Sequence, residues 1–215
     1  MSSARYRWPV MGTPRREAIL SSALELFRQR GFHAVGIDEI GTAAGISGPA
    51  VYRHFRSKDS LLVSLFDQIS ERMLQGAQEI GAKPLSPDEA LDQLVALHVS
   101  FAVDERSLLA VWIQDWRSLP DPDAHRIRRR QVEYVSEWTA ALRRLRPDLS
   151  FQQVETIVYA AIGAINSVAF HDSRLPRDAL DPLLCRLARG VLNACPPRVS
   201  GNGDGHNNGV YEPGA

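Results

Sequence analysis

The chain has 215 residues, 44% hydrophobic and 23% charged, and its 25 basic and 25 acidic side chains give a formal net charge of zero. That size and composition suit a soluble globular protein of one or two domains with a sizeable core. As a whole-chain figure the balance speaks against a nucleic-acid binder, whose usual footprint is an excess of Lys and Arg. The sum conceals an asymmetry, because residues 1–60 carry nine Arg/Lys against five Asp/Glu, whereas residues 61–215 carry 16 against 20. Nothing approaches the roughly 20 consecutive apolar residues that span a bilayer. The N-terminus MSSARYRWPVMGTPRR lacks a signal-peptide apolar region. Cys185 and Cys195 are too few for a disulfide framework and lack metal-ligand spacing. The expectation is a reduced cytoplasmic protein with no membrane partner, metal or cofactor.

In chain order the sequence reads as all-α, with about nine helices. Residues 14–30 place Leu20, Ala23, Leu24 and Phe27 on one helical face, with Thr13 as cap, Pro14 at the first position and Gly31 as the stop. A short helix Ile37–Ala44 follows, then the turn Gly45-Ile46. Ser47 reads as the N-cap of another short helix, Gly48–His54, and Ser57 as the cap of a longer one to about Ile80. The connector GAKPLSPD leads to helices from Ser86-Pro87 to about Val103, from Asp104 to Ser118, and from Pro122 to Leu145. Ser150 caps an apolar helix from Phe151 to about Phe170, and the last helix spans about Pro176–Ala194. The segment from Cys195 onward is rich in Gly, Asn and Pro and reads as a disordered tail. The expected divisions are a flexible basic arm (1–13), a first helical domain (14–60), a second helical domain (61–195) and a tail (196–215).

The informative stretch is IDEIGTAAGISGPAVYRHFRSKDSL, residues 37–61. Two short helices joined by a tight glycine turn suit a helix-turn-helix, whose second helix enters the major groove. Ile37, Ile40 and Ala44 hold the first helix on the core, Gly45 takes the positive φ of the turn, and Ile46 fills the space between helices. On this reading Ser47, Gly48, Pro49 and Ala50 face base edges. Tyr52, Arg53 and His54 lie near phosphates, and Lys58 touches the backbone from the next helix.

AAGIS followed by VYRHFRSKDSL, with ILSSALELFRQRGFHAVGIDEI upstream, resembles the DNA-binding domain of the TetR (tetracycline repressor-like) transcriptional regulators. The resemblance covers about residues 14–66. It implies sequence-specific binding to double-stranded DNA at a palindromic operator by a homodimer, with the remaining helices forming a ligand-binding and dimerisation domain. Release from the operator by a small-molecule effector makes the protein a repressor and not an enzyme. Three positions depart from the family pattern. Gly36 stands where Thr is frequent, so it can cap the second helix without a hydroxyl. Gly41 replaces the usual Ala at a helix-propensity cost of about 1 kcal/mol. The recognition helix opens with Gly48-Pro49-Ala50, which points to fewer and more apolar base contacts, such as thymine methyl groups.

Arg5, Arg7, Arg15 and Arg16 read either as a DNA-contacting arm or as a solvated leader. Helix 151–170 and the last helix are apolar on more than one side, which suits a four-helix dimer interface or, alternatively, a monomeric core. Phe101, Trp112, Trp116, Tyr134, Trp138 and Phe170, with His98, Gln114 and Asn166 as polar anchors, suit an effector pocket or plain core. The segment 111–138 is similar to C-terminal domains of regulators tied to lipid or acyl-group metabolism, which implies a largely apolar effector, lipid-like or an acyl-CoA. Arg126, Arg128, Arg129 and Arg130 read as a solvated, ion-paired face or as a site for an anionic headgroup.

The chain has no Gly-rich phosphate loop, nucleophile elbow or zinc motif. His171-Asp172 lacks the companions of a metal phosphohydrolase, and Glu133 with Glu137 lacks those of a di-iron bundle. The alternative reading is a helical small-molecule-binding or catalytic protein whose head does not bind DNA specifically. Gly41 and Gly48 are the residues that favour it.

Overall fold

The computed structural model describes residues 13–171 and 173–194. Among them are nine α-helices: α1 (Pro14–Arg30), α2 (Ile37–Ala43), α3 (Gly48–Val51), α4 (Lys58–Gly81), α5 (Pro87–Asp104), α6 (Arg106–Asp115), α7 (Asp121–Leu145), α8 (Phe151–Asn166) and α9 (Arg177–Leu192). Tight helical turns at Trp116–Ser118 and Ser167–Ala169 extend α6 and α8. The fold is all-α as expected. The expected arm and tail, with Cys195, fall largely outside the described residues, as does Asp172.

Local chemistry sets most of the boundaries. The side chains of Thr13, Ser57, Ser86 and Ser150 each accept the backbone N–H three residues on, at 3.4, 3.1, 3.3 and 3.3 Å. At α5 the Glu89 carboxylate returns the bond to the Ser86 N–H at 2.9 Å, a reciprocal cap that satisfies two otherwise orphaned donors. Gly31 ends α1 at φ +78°. Leu119, the residue before Pro120, is extended, which closes the turn after α6.

Three boundaries differ from expectation. Ser47 makes no side-chain cap bond, so α3 starts on Pro49 geometry alone. The recognition element is an α-helix only over Gly48–Val51, and it continues to His54 as a tightened turn closed by Arg53 N–H to Ala50 O and His54 N–H to Val51 O. The expected helix Asp104–Ser118 starts afresh at Arg106, because Glu105 leaves helical geometry.

The head comprises α1, α2 and α3, with α2 packed on α1 and on α3. In the bundle α7 packs against α4, α5 and α8, and α9 against α5 and α8. Buried apolar side chains form one continuous cluster from Ile19 in α1 to Leu192 in α9. Helix α4 belongs to both regions: Leu61 and Leu62 are fully buried at its start and Ile80 is buried at its end. The division at 60/61 therefore falls within its first turn. On the outside of α8 and α9, Phe151, Tyr159 and Leu187 are exposed, and the α-carbons of Gly163 and Gly190 face open space.

The two unusual glycines of the head have a common explanation. A Cβ on Gly41 would lie 2.9 Å from the backbone nitrogen of Gly48, and one on Gly48 would lie 1.7 Å from the Asp38 carboxylate. Their absence lets α2 and α3 approach backbone to backbone. Gly41→Ala gains about 1 kcal/mol in helix propensity, but overpacking against backbone costs about 1–3 kcal/mol. The substitution is expected to lower the thermal midpoint in a calorimetric scan; an unchanged or raised midpoint contradicts the close-approach account.

Candidate nucleic-acid interface and effector cluster

The α2–α3 turn is set by Gly45 at φ +69° and by the Ile46 N–H on the Gly41 carbonyl at 2.9 Å. Ile40, Val51 and Phe55 are buried beneath it, which fixes α3 on the core and leaves its outer edge in solvent. On that edge Ser47, Pro49, Tyr52, Arg53 and His54 are exposed, Tyr52 by 55%, and Ala50 is half-buried. Gly36 is exposed at the start of α2, where its N–H is taken by the Glu39 carboxylate at 2.8 Å.

Two of the expected DNA contacts have other positions. Gly48 is buried under Asp38, so it serves the α2–α3 approach and presents nothing to a base edge. The Lys58 ammonium points inward, donating to the carbonyls of Phe32, His33 and Val35 at 2.8, 3.5 and 3.0 Å, and lies 4.4 Å from the Phe32 ring centroid. Sequence does not separate these uses, since a lysine in the first turn after a recognition helix can face either way. Arg16 is likewise engaged, its guanidinium 4.2 Å from the Phe55 ring centroid and 3.0 Å from the Ser64 hydroxyl. Arg5 and Arg7 lie outside the described residues.

The same Gly31–Val35 loop is gripped from the bundle. The Phe32 N–H donates to the buried Asp115 carboxylate of α6 at 3.2 Å, and His33 Nε2 lies 3.0 Å from the Ser118 hydroxyl. Burial pushes the Asp115 carboxyl up, while the Phe32 N–H, His33 and Lys58 oppose that shift. Sequence reasoning passes over Asp115. Its one signal is an acid in the apolar register of Leu108, Val111 and Trp112. Gln114, read as a pocket anchor, lies instead beside Gly31 at this junction.

A second cluster is buried in the bundle. His98 on α5 bonds through Nδ1 to the Tyr134 hydroxyl of α7 and through Nε2 to Asn166 Oδ1 of α8, both at 2.8 Å. Its ring stacks on Tyr134 at 5.8 Å and meets Trp138 and Phe101 edge-on at 6.1 and 6.2 Å. Burial depresses the His98 pKa to about 4, so the ring is neutral at pH 7. With Asn166 Oδ1 as acceptor, Nε2 carries the proton and Nδ1 accepts from Tyr134 O–H. Burial raises the Tyr134 phenol well above its ordinary range.

Five of the nine expected effector residues thus come together: His98, Phe101, Tyr134, Trp138 and Asn166. Trp112 packs instead on Phe66, with centroids 4.9 Å apart, and Trp116 is half-buried beyond the end of α6. Phe170 is 71% exposed, because α8 ends at Asn166 and the following turn carries the ring outward. Arg126 and Arg130 are held by α4, Arg126 on Asp67 and Arg130 on Asp67 and Glu71 at 2.7 and 2.6 Å. This is the ion-paired face. Among the described residues no group of three or more His, Cys, Asp or Glu is placed to hold a metal ion, and no helix is long and apolar enough to cross a membrane.

The depressed His98 pKa fixes a stability trend. The unfolded chain takes up a proton at His98 below about pH 6.5, whereas the folded chain does so only near 4. The associated stability is complete above 6.5 and falls as pH drops toward 4, by about 2–3 kcal/mol. Urea unfolding at pH 7 and pH 4.5 is expected to show this loss in the wild type and a smaller one in His98→Gln. Equal losses contradict a neutral buried imidazole.

Two family models match the chain: "Bacterial regulatory proteins, tetR family" over residues 19–65, and "Tetracyclin repressor-like, C-terminal domain" over residues 84–170. The HTH-type transcriptional activator FasR of Mycolicibacterium smegmatis is 38% identical over 65 residues, 30% of either chain. The curated relatives are matched over only part of their own length, from 30% to 61%. In fold, the chain is similar to the ketosteroid transcriptional regulator KstR2 of Mycobacterium tuberculosis, with a TM-score of 0.75 at 21% identity over 86% of this chain and 97% of that one. It is also similar to AibR, solved with isovaleryl coenzyme A and operator DNA, with a TM-score of 0.69 at 16% identity over 80% and 97%. With one model on the head, another on the bundle and the fold of solved members throughout, the chain belongs to the TetR family of bacterial regulatory proteins.

Proposed function

We propose that the chain is a ligand-responsive, DNA-binding transcriptional regulator, a repressor released from a palindromic operator by a largely apolar effector. The observation that carries this reading is the outer edge of the α2–α3 turn. There Ser47, Pro49, Tyr52, Arg53 and His54 stand in solvent on a buried base of Ile40, Val51 and Phe55. Tyr52 is a large half-apolar side chain with no intramolecular reason to be exposed, and Arg53 supplies a fixed positive charge for phosphate. Ala50 and Pro49 offer apolar surface to thymine methyl groups.

A homodimer supplies the second head that a two-fold operator requires. The exposed Phe151, Tyr159 and Leu187 and the open Gly163 and Gly190 support α8 and α9 as its interface. The effector occupies the region of His98, Phe101, Tyr134, Trp138 and Asn166, where aromatic walls surround a few polar atoms. Its class is lipid-like or an acyl-CoA, a reading supported by the isovaleryl coenzyme A bound to the similar AibR. Helix α6 links the two regions, touching α5 on one side and α1 on the other. Through Asp115 and the Ser118 turn that follows, it holds the loop that orients α2. An effector that binds one position of α6 more tightly than the other shifts the heads between operator-fitting and non-fitting arrangements.

The test is anisotropy titration of the full chain against DNA from its own promoter region at several salt concentrations. Specific binding that weakens with salt is expected, and Arg53→Ala should reduce the salt slope by about one phosphate equivalent per head, about two for the dimer. Lys58→Met is expected to lower thermal stability while leaving that slope unchanged, because its ammonium serves backbone carbonyls. No specific binding at low salt overturns the regulator reading; a reduced slope in Lys58→Met overturns the structural role of that lysine.

A further inference from the structure

The buried cluster of the bundle has an unequal supply of donors and acceptors. Tyr134 O–H is used on His98 Nδ1, and His98 Nε2–H on Asn166 Oδ1. Trp138 is fully buried, and its indole N–H has no hydrogen-bond partner. It points toward the Tyr134 oxygen and so opposes the upward shift of that phenol, but at a distance or angle outside good hydrogen-bond geometry. Asn166, which is half-buried, accepts from His98 through Oδ1, and its amide carries two further N–H donors at a less enclosed position than the Trp138 N–H. What the cluster leaves unused is therefore donor capacity. Buried donors without acceptors are rare in native proteins, because each gives up its water and gains nothing in return.

The cluster is also free of charge. Burial and the Asn166 bond account for the shift of His98, and burial with Trp138 for that of Tyr134, with no charged side chain contributing to either. The histidine is neutral at pH 7, so a carboxylate or phosphate brought here would be desolvated with no cation to receive it. A neutral oxygen bearing lone pairs meets the donors at no such cost.

We propose that the effector presents an uncharged hydrogen-bond acceptor, a ketone, ester or thioester carbonyl, to this cluster, with Trp138 Nε1–H as principal donor and Asn166 Nδ2 as the second. The assignment rests on the reading of this region as the effector site. It deepens that reading by naming the chemistry of the buried end. The apolar remainder of the ligand lies along the aromatic walls, and any charged group it carries lies away from His98.

The test compares three probes of eight carbons, methyl hexyl ketone, n-octane and octanoate, by calorimetric titration of the full-length protein at pH 7. The ketone should bind about ten-fold tighter than octane, as one satisfied buried donor predicts, and octanoate should bind more weakly than the ketone. Trp138→Phe keeps an aromatic ring but removes the N–H, so it should bring the ratio of ketone to octane affinity close to one, whatever the smaller ring does to both. Should that variant fail to fold, the wild-type indole N–H resonance of Trp138 gives the same information, moving downfield with the ketone and not with octane. Equal binding of ketone and octane, or tighter binding of octanoate, overturns the donor assignment and leaves an apolar effector site standing. Failure of all three probes to bind overturns the assignment together with the effector reading beneath it.

Discussion

The loop Gly31–Val35 is the constraint on which the rest of the molecule turns. It carries the chain from α1 to α2 with Phe32 and Val35 buried, so its peptide groups lose water and need partners within the protein. Two opposite charges from different helices provide them. Lys58 of α4 donates to three carbonyls, and Asp115 of α6 accepts from the Phe32 N–H. Hydrogen bonds to charged groups at partly buried sites contribute about 1.5–3 kcal/mol each, whereas exposed ion pairs contribute about 0–1 kcal/mol. This clamp therefore outweighs surface pairs such as Arg28 with Glu25 or Arg177 with Asp104. It also fixes where α2 starts, and hence where the turn at Gly45 presents α3.

The polar chemistry of the bundle follows the opposite rule. Around His98 there is no charge, and the hydrogen bonds run in one direction, from Tyr134 through the imidazole to Asn166. A charged group at that depth needs a partner of opposite sign, and the aromatic walls supply none. Charge is used where a backbone loop must be held, and neutral hydrogen bonding where α5, α7 and α8 meet. Helix α6 connects the two environments, contacting α5 at one face and the clamped loop through its last turn.

The parts legible in the sequence are those decided locally. Thr13, Ser57, Ser86 and Ser150 cap helices because a hydroxyl reaches an N–H three residues on, which spacing alone reveals. The glycine of the turn is legible for the same reason. Gly48 is not, since its burial depends on Asp38 ten residues earlier and on the missing Cβ of Gly41. Lys58 and Asp115 escape a local reading because their partners lie 23 to 83 residues away. For the buried cluster, the residue types point to a polar anchor in aromatic surroundings, and five of nine candidates converge. Phe170 has the right chemistry at a position where the helix has already ended.

Zero net charge conceals a head with a positive excess, and the structure commits much of that excess to the fold itself. Of the basic residues described in the head, Lys58 is engaged by backbone carbonyls, Arg16 by Phe55 and Ser64, Arg28 by Glu25 and Arg30 by Glu39. Outside these contacts stand Arg15, Arg53 and Arg56, all exposed, with Arg53 and Arg56 flanking the end of the recognition turn. Each phosphate neutralised contributes a slope of about 0.9 in log affinity against log salt, so a head with few such cations makes a shallow electrostatic contribution. Under the proposed function, binding that rests on few phosphate contacts would draw its strength from the fit of Tyr52, Ala50 and Pro49 to the groove and from the pairing of two heads. Under the proposed effector response, a fit of that kind is sensitive to the spacing of the heads, which a displacement of α6 would change. The commitment of charge within the head is thus what would let a small movement at the Gly31–Val35 loop decide whether the proposed operator is held.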